Sequence, residues 1–223
     1  MLPSDKFPKL ESLELSSLNF IGCLLSQESK FMSLSWLWIE NCPNFECFPD
    51  GGIDAPKLKD MSIVPSLEEL TIRGCPEFKS FPQSGCPALV TLELDGNEKL
   101  WANGRQCGLQ RLNSLLTLTI AKIELSVFPE EGLLPTSLAD LVILGGPNLT
   151  TLDGKGLRKL DSLQSLAIFC CPELRCLPEE GLPTSLLHIN DCPFLERRLQ
   201  RGKGEDWPKI AHIPHIWLDY EKI

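Results

Sequence analysis

Leu34-Ser35-Trp36-Leu37-Trp38-Ile39-Glu40-Asn41-Cys42-Pro43-Asn44-Phe45-Glu46-Cys47-Phe48-Pro49 carries the period of this chain. Its apolar slots at Leu34, Leu37, Ile39, Cys42, Phe45 and Phe48 return as Leu67, Leu70, Ile72, Cys75, Phe78 and Phe81. They return again as Leu163, Leu166, Ile168, Cys171, Leu174 and Leu177. Weaker copies run through Leu89, Leu92, Leu94, Asn97, Leu100 and through Leu138, Leu141, Ile143, Gly146, Leu149, Leu152. Leu115, Leu118, Ile120, Ile123 closes one residue early at Phe128-Pro129, and Leu187, Ile189, Cys192, Leu195 has Thr184 in its first slot. Leu10, Leu13, Leu15, Leu18 is the earliest copy. From Leu18 to Cys192 the slot advances 174 residues in seven steps, a mean of about 25.

That period and the pattern L-x-x-L-x-L-x-x-N/C-x-L are those of leucine-rich repeats, whose units run roughly 20–29 residues. The last two leucines of L-x-x-L-x-L alternate with other residues, the period of a strand buried on one face. Asn or Cys follows where the chain turns into the coil, and a buried Asn there can satisfy backbone groups left by the turn. Pro43, Pro76, Pro147, Pro172 and Pro193 stop strand pairing one residue later. The second half of each coil is poor in strong helix formers, which predicts turns or 3-10 pieces there. The expected fold is a leucine-rich-repeat solenoid with a parallel concave β-sheet and an irregular, 3-10-rich convex side. About eight repeats fill residues 1–196, irregular across 50–66, where Leu58-x-x-Met61-x-Ile63 reads as a compressed strand half. Residues 197–223 read as a capping tail, because Ile213-x-x-Ile216-x-Leu218 fits the strand template once more. No comparable cap precedes Leu10, which suggests a piece of something longer.

Composition narrows the function. Leucine supplies 41 of the 223 residues, and the formal charge is −9. An acidic chain lacks the clustered Lys and Arg that nucleic-acid binding requires. No apolar run approaches the roughly 18 residues of a membrane span, and Met1-Leu2-Pro3-Ser4-Asp5-Lys6 is no secretory signal. Residues 1–196 carry −11 (15 basic, 26 acidic) and the tail +2 (6 basic, 4 acidic).

The reactive residue types fall into the repeat rather than into a catalytic motif. Cys42, Cys75, Cys171 and Cys192 share one slot with Asn97, so packing accounts for them; no C-x-x-C exists and the spacing suggests no disulfide. The adjacent Cys170-Cys171 reads as one outward and one inward thiol. His212-x-x-His215 is interrupted by Pro214, against a helical metal pair, and the Glu130-Glu131 and Glu179-Glu180 pairs sit in recurring linkers. The informative positions lie six, four and two residues before each slot, on the open side of the sheet. They present Trp36 and Trp38, then Arg73 with Glu93 and Asp95, and later Val142, Leu144 and Phe169. Exposed aromatic and apolar groups of this kind suit a protein interface, and the acidic stretch suits a basic or mixed partner.

Three further features carry a family resemblance. They are the L-x-x-L-x-I-x-x-C-P-x-L-x-x-L-P repeat, the linkers Pro129–Leu138 and Pro178–Leu186, and the ending Cys192-Pro193-Phe194-Leu195 with Gly204–Pro214. With them the chain resembles the C-terminal leucine-rich repeats of plant intracellular, coiled-coil-type nucleotide-binding disease-resistance proteins. The resemblance implies a protein-interaction and sensing module in the cytoplasm or nucleus. Its partner would be a pathogen effector, a guarded host protein or the receptor's own nucleotide-binding domain. No G-x-x-x-x-G-K-[ST] loop is present, since Leu149 and Arg197 stand where the first glycine would, and Gly156 and Gly204 where Ser or Thr would. The expectation is therefore no cofactor in this chain, with nucleotide belonging to a domain outside it. A stand-alone repeat adaptor, such as a substrate-recognition arm, and an enzyme using the cysteines or histidines remain as alternatives.

Overall fold

Apolar residues two apart with others between them make a strand that buries one edge, and a coil of about 25 residues brings the next strand beside it. The computed structural model, which describes residues 9–19, 33–48 and 65–223, shows this arrangement in two compact units, Met1–Leu115 and Leu116–Ile223. Each unit is a leucine-rich-repeat stack with a parallel sheet along one side.

In the first unit the strands are β1 (Ser12–Ser16), β2 (Trp36–Glu40), β3 (Glu69–Arg73) and β4 (Thr91–Asp95), each parallel to the next. The register aligns Leu13, Leu37, Leu70 and Leu92 in one row and Leu15, Ile39, Ile72 and Leu94 in another. From β2 onward these side chains are buried, and their neighbours on each strand face the other way. The chain then leaves the strand through a left-handed residue: Ser17, Asn41, Gly74 and Gly96 all have φ between 51° and 64°. Their amides extend the ladder, with Asn41 donating to the Arg73 carbonyl at 2.9 Å and Gly74 to that of Asp95 at 2.8 Å. A side chain at Gly74 would meet Asn41 Oδ1 at 2.6 Å, so the Asn41 side chain would have to shift, and glycine adopts the positive φ there without strain.

The shared slot follows, and it is interior. Cys42 and Cys75 are fully buried, each thiol donating to the carbonyl two residues back. Asn97, also buried, donates its side-chain amide to the Cys75 carbonyl at 3.3 Å, the role the turn gives an asparagine. Burial pushes the Cys75 thiol up to about 11 and that of Cys86 to about 12, so neither is an anionic nucleophile near neutral pH. Behind the slot, Phe45 stacks on Phe78 with centroids 5.2 Å apart, while Phe48 and Phe81 meet them edge-on. The last coil of the unit returns through helix α1 (Glu98–Ala102) and two 3-10 turns, Gly104–Cys107 and Leu109–Arg111.

The second unit has β5 (Thr117–Ala121), β6 (Val127–Phe128), β7 (Asp140–Leu144), β8 (Thr151–Leu152), β9 (Ser165–Phe169) and β10 (Leu186–Asn190). Strands β5, β7, β9 and β10 form the parallel sheet, and β6 pairs with β8 on the return side. Helix α2 (Gly154–Arg158) begins at Asp153, whose carboxylate accepts from the Lys155 amide at 2.8 Å. The return segments thus include single-turn α-helices beside the 3-10 turns that the sequence predicts. Glu98-Lys99-Leu100 and the Asp153 cap supply the local helical preference. In the shared slot, Cys171 and Cys192 are fully buried. The neighbouring Cys171 thiol, with burial second, pushes the Cys192 thiol far up.

After β10 come α3 (Pro193–Arg198), α4 (Trp207–Ile210), β11 (His215–Leu218) and β12 (Glu221–Lys222). Strand β11 lies parallel to β10 in the register Leu187 to Ile216 and Ile189 to Leu218, and β12 pairs antiparallel with β11. The tail is also held through Asp206, which is 1% exposed. Its carboxylate accepts from Arg198 at 3.1 and 3.2 Å, from Lys209 at 2.9 Å and from the Leu177 amide at 2.9 Å. The compressed strand half at Leu58, Met61 and Ile63 lies outside the described residues, which resume at 65.

Candidate protein-interaction faces

Alternation leaves one side chain in two on the outer face of each sheet, and the parallel register sets them in rows whose neighbouring members stand about 4.8 Å apart. In the first unit one row is Ser12, Trp36, Glu69, Thr91; the next is Glu14, Trp38, Thr71, Glu93; the third is Ser16, Glu40, Arg73, Asp95. Trp36, Trp38, Arg73, Glu93 and Asp95, nominated from spacing, therefore share this face. The two indoles sit 5.8 Å apart between centroids, tilted by 40°. The Arg73 guanidinium lies 4.6 Å above the Trp38 ring and donates Nε–H to Glu93 at 3.0 Å. Trp38 and Glu93 thus hold an arginine between an aromatic face and a carboxylate. The Trp38 indole N–H is buried without a hydrogen-bond partner among the described residues.

In the second unit Val142, Leu144 and Phe169 lie on the sheet's outer face, with Leu144 at 37% exposed. The ring row continues from Phe169 to His188, 6.3 Å away, and on to Trp217, 5.4 Å from His188 and nearly perpendicular to it. Phe169, His188, Asn190, Trp217 and Tyr220 line an open concavity of about 290 Å³. Trp217 and Tyr220 were not nominated from sequence. The available signal was Ile213-x-x-Ile216-x-Leu218, since a strand with Ile216 and Leu218 inward turns Trp217 outward. Asn190, two residues before its slot, is 3% exposed, and the Tyr220 amide donates to its side-chain oxygen at 3.1 Å. Ala167 is likewise buried beneath its larger neighbours.

Cys170 is the outward member of its pair, exposed, and its thiol is raised by partial burial and then by the Asp191 charge. Among the described residues no three His, Cys, Asp or Glu side chains are gathered as a metal ion would need. No helix among them is long and apolar enough to cross a membrane.

Three plant proteins that match carry the name "Putative disease resistance protein": At3g14460 of Arabidopsis thaliana, and RGA4 and RGA1 of Solanum bulbocastanum. The first is 33% identical over 241 residues, which covers 98% of this chain and 17% of that protein. RGA4 is 46% identical over 50 residues and RGA1 59% over 27, or 5% and 3% of their lengths. The chain thus spans about a sixth or less of the length of each relative. No protein-family model matches the chain, and no solved structure does. Over nearly its whole length, this leucine-rich-repeat chain is similar in sequence to one segment of At3g14460, and over shorter stretches to RGA4 and RGA1.

Proposed function

We propose that this chain is the sensing and restraining region of a plant immune receptor, binding proteins through the outer faces of its sheets. The observation that carries the reading is the clustering of half-exposed rings there, Trp36 with Trp38 and Phe169 with His188 and Trp217. Aromatic anchors concentrate binding energy at protein interfaces. The partner would be a pathogen effector, a guarded host protein or the receptor's own nucleotide-binding domain, with nucleotide held in that domain. Exchange of one partner for another switches the receptor only if each binds its two states with different affinity.

The test is co-expression with the nucleotide-binding segment of a disease resistance protein, followed by capture. Trp38→Ala and Phe169→Ala should each weaken capture by about tenfold or more while the fold still melts cooperatively. Capture unchanged in both variants would place that contact off the sheet faces.

A further inference from the structure

The face of β1–β4 is chemically one-sided. Its twelve outward positions carry five carboxylates, Glu14, Glu40, Glu69, Glu93 and Asp95, against the single cation Arg73. That cation is already engaged by Trp38 and Glu93. Glu14, Glu40 and Glu69 pair with no basic side chain among the described residues. Trp36 stands directly across from Glu69 in the register, with Glu14 on its diagonal. An indole with a carboxylate close by is the seat that Arg73 occupies two residues further along β2, at Trp38.

We propose that this face binds a basic segment of a partner protein, with an arginine laid on Trp36 against Glu69 and further basic side chains over Glu14 and Glu40. The inference rests on the reading of the strand faces as protein-binding surfaces and names the chemistry of one partner. Cation–π contact prefers Trp and Arg, and the surrounding carboxylates make the seat charge-assisted. The same charges repel phosphate backbones and anionic lipid headgroups, which leaves a lysine- and arginine-rich polypeptide as the fitting ligand.

The test uses the full chain and a fluorescein-labelled peptide of alternating arginine and serine, followed by fluorescence anisotropy at low and physiological salt. The triple variant Glu14→Gln, Glu40→Gln, Glu69→Gln should weaken binding about tenfold, with a flatter salt dependence. A control that removes equal charge elsewhere, Glu124→Gln, Asp161→Asn, Glu221→Gln, should stay within about twofold. Trp36→Ala should lose about threefold, and Trp36→Phe should recover most of it. Melting curves confirm that each variant is folded, and Trp36→Phe keeps the question decidable if Trp36→Ala is not. Equal losses in the triple variant and the control, or no loss when the indole is replaced, would overturn the proposal. If Trp38→Ala and Phe169→Ala weaken partner capture in that case, the strand faces remain the binding surface and only the basic-ligand assignment fails.

Discussion

Phe78→Ala should be the costliest single truncation in the first unit, lowering stability by about 3–5 kcal/mol. Phe78 is fully buried and sits at the junction of two coils. It stacks on Phe45 at 5.2 Å and meets Phe81 edge-on at 5.2 Å and Phe48 at 6.1 Å. Truncation removes all three ring contacts and opens a void bounded by backbone that the slot residues Cys42 and Cys75 hold in place, so collapse is limited. Because each coil is stabilised through its neighbours, the damage should spread to both coils that share the ring stack. Urea unfolding measures the loss, and amide exchange across 42–48 and 75–81 locates it. Glu77→Ala, beside it in sequence but on the surface with Lys99, should change stability by no more than about 0.5 kcal/mol. A loss below about 1 kcal/mol for Phe78→Ala would contradict the stacked-coil core.

Asp206→Ala should come next, at about 3 kcal/mol, because it leaves two cations facing each other around an empty acceptor. Lys209 is 11% exposed and keeps Glu179, and Arg198 keeps Glu205, which holds the cost to the lower end of that range. The Leu177 amide loses its side-chain acceptor as well. Asp206→Asn should cost less, since an amide oxygen still accepts from Leu177 while the charge pairing is gone. Burial opposes the charge of Asp206, but the hydrogen bonds from Arg198, Leu177 and Lys209 outweigh it and hold the carboxyl below its ordinary value. A carboxyl depressed on folding contributes fully above its unfolded pKa of about 4. That contribution is lost as pH falls through the lower, folded value. Wild type should therefore lose more stability below about pH 4 than Asp206→Asn does, and parallel acid unfolding curves would remove the network from the account.

The leucine rows were legible in the sequence because a strand buried on one face must repeat every two residues and a coil must repeat at its own length. Slots such as Cys42, Cys75, Asn97 and Cys171 fall out of that arithmetic, and so does the outward placement of Trp36, Trp38, Arg73 and Phe169. Contacts set by side-chain rotamers did not fall out of it. Spacing places Arg73 and Glu93 on one face, but only the folded side chains show the guanidinium resting on Trp38. The concavity at Trp217 and Tyr220 depends on the tail returning to pair with β10, a long-range event announced by one weak template match. For the same reason the tail reads from sequence only as a net charge of +2, whereas Arg198 and Lys209 converge on the buried Asp206. A buried ion network has no periodicity by which a sequence could announce it.

The central claim, that the outer strand faces are the binding surface, is tested most directly by hydroxyl-radical footprinting of the chain with and without a captured partner protein. Oxidation of Trp36 and Trp38, or of Phe169 and Trp217, should fall on binding. Val127 on the return strand β6 and Phe194 on α3, exposed at 49% and 45%, should be oxidised equally in both states. Protection of Val127 or Phe194 with unchanged oxidation of all four strand-face rings would contradict the claim.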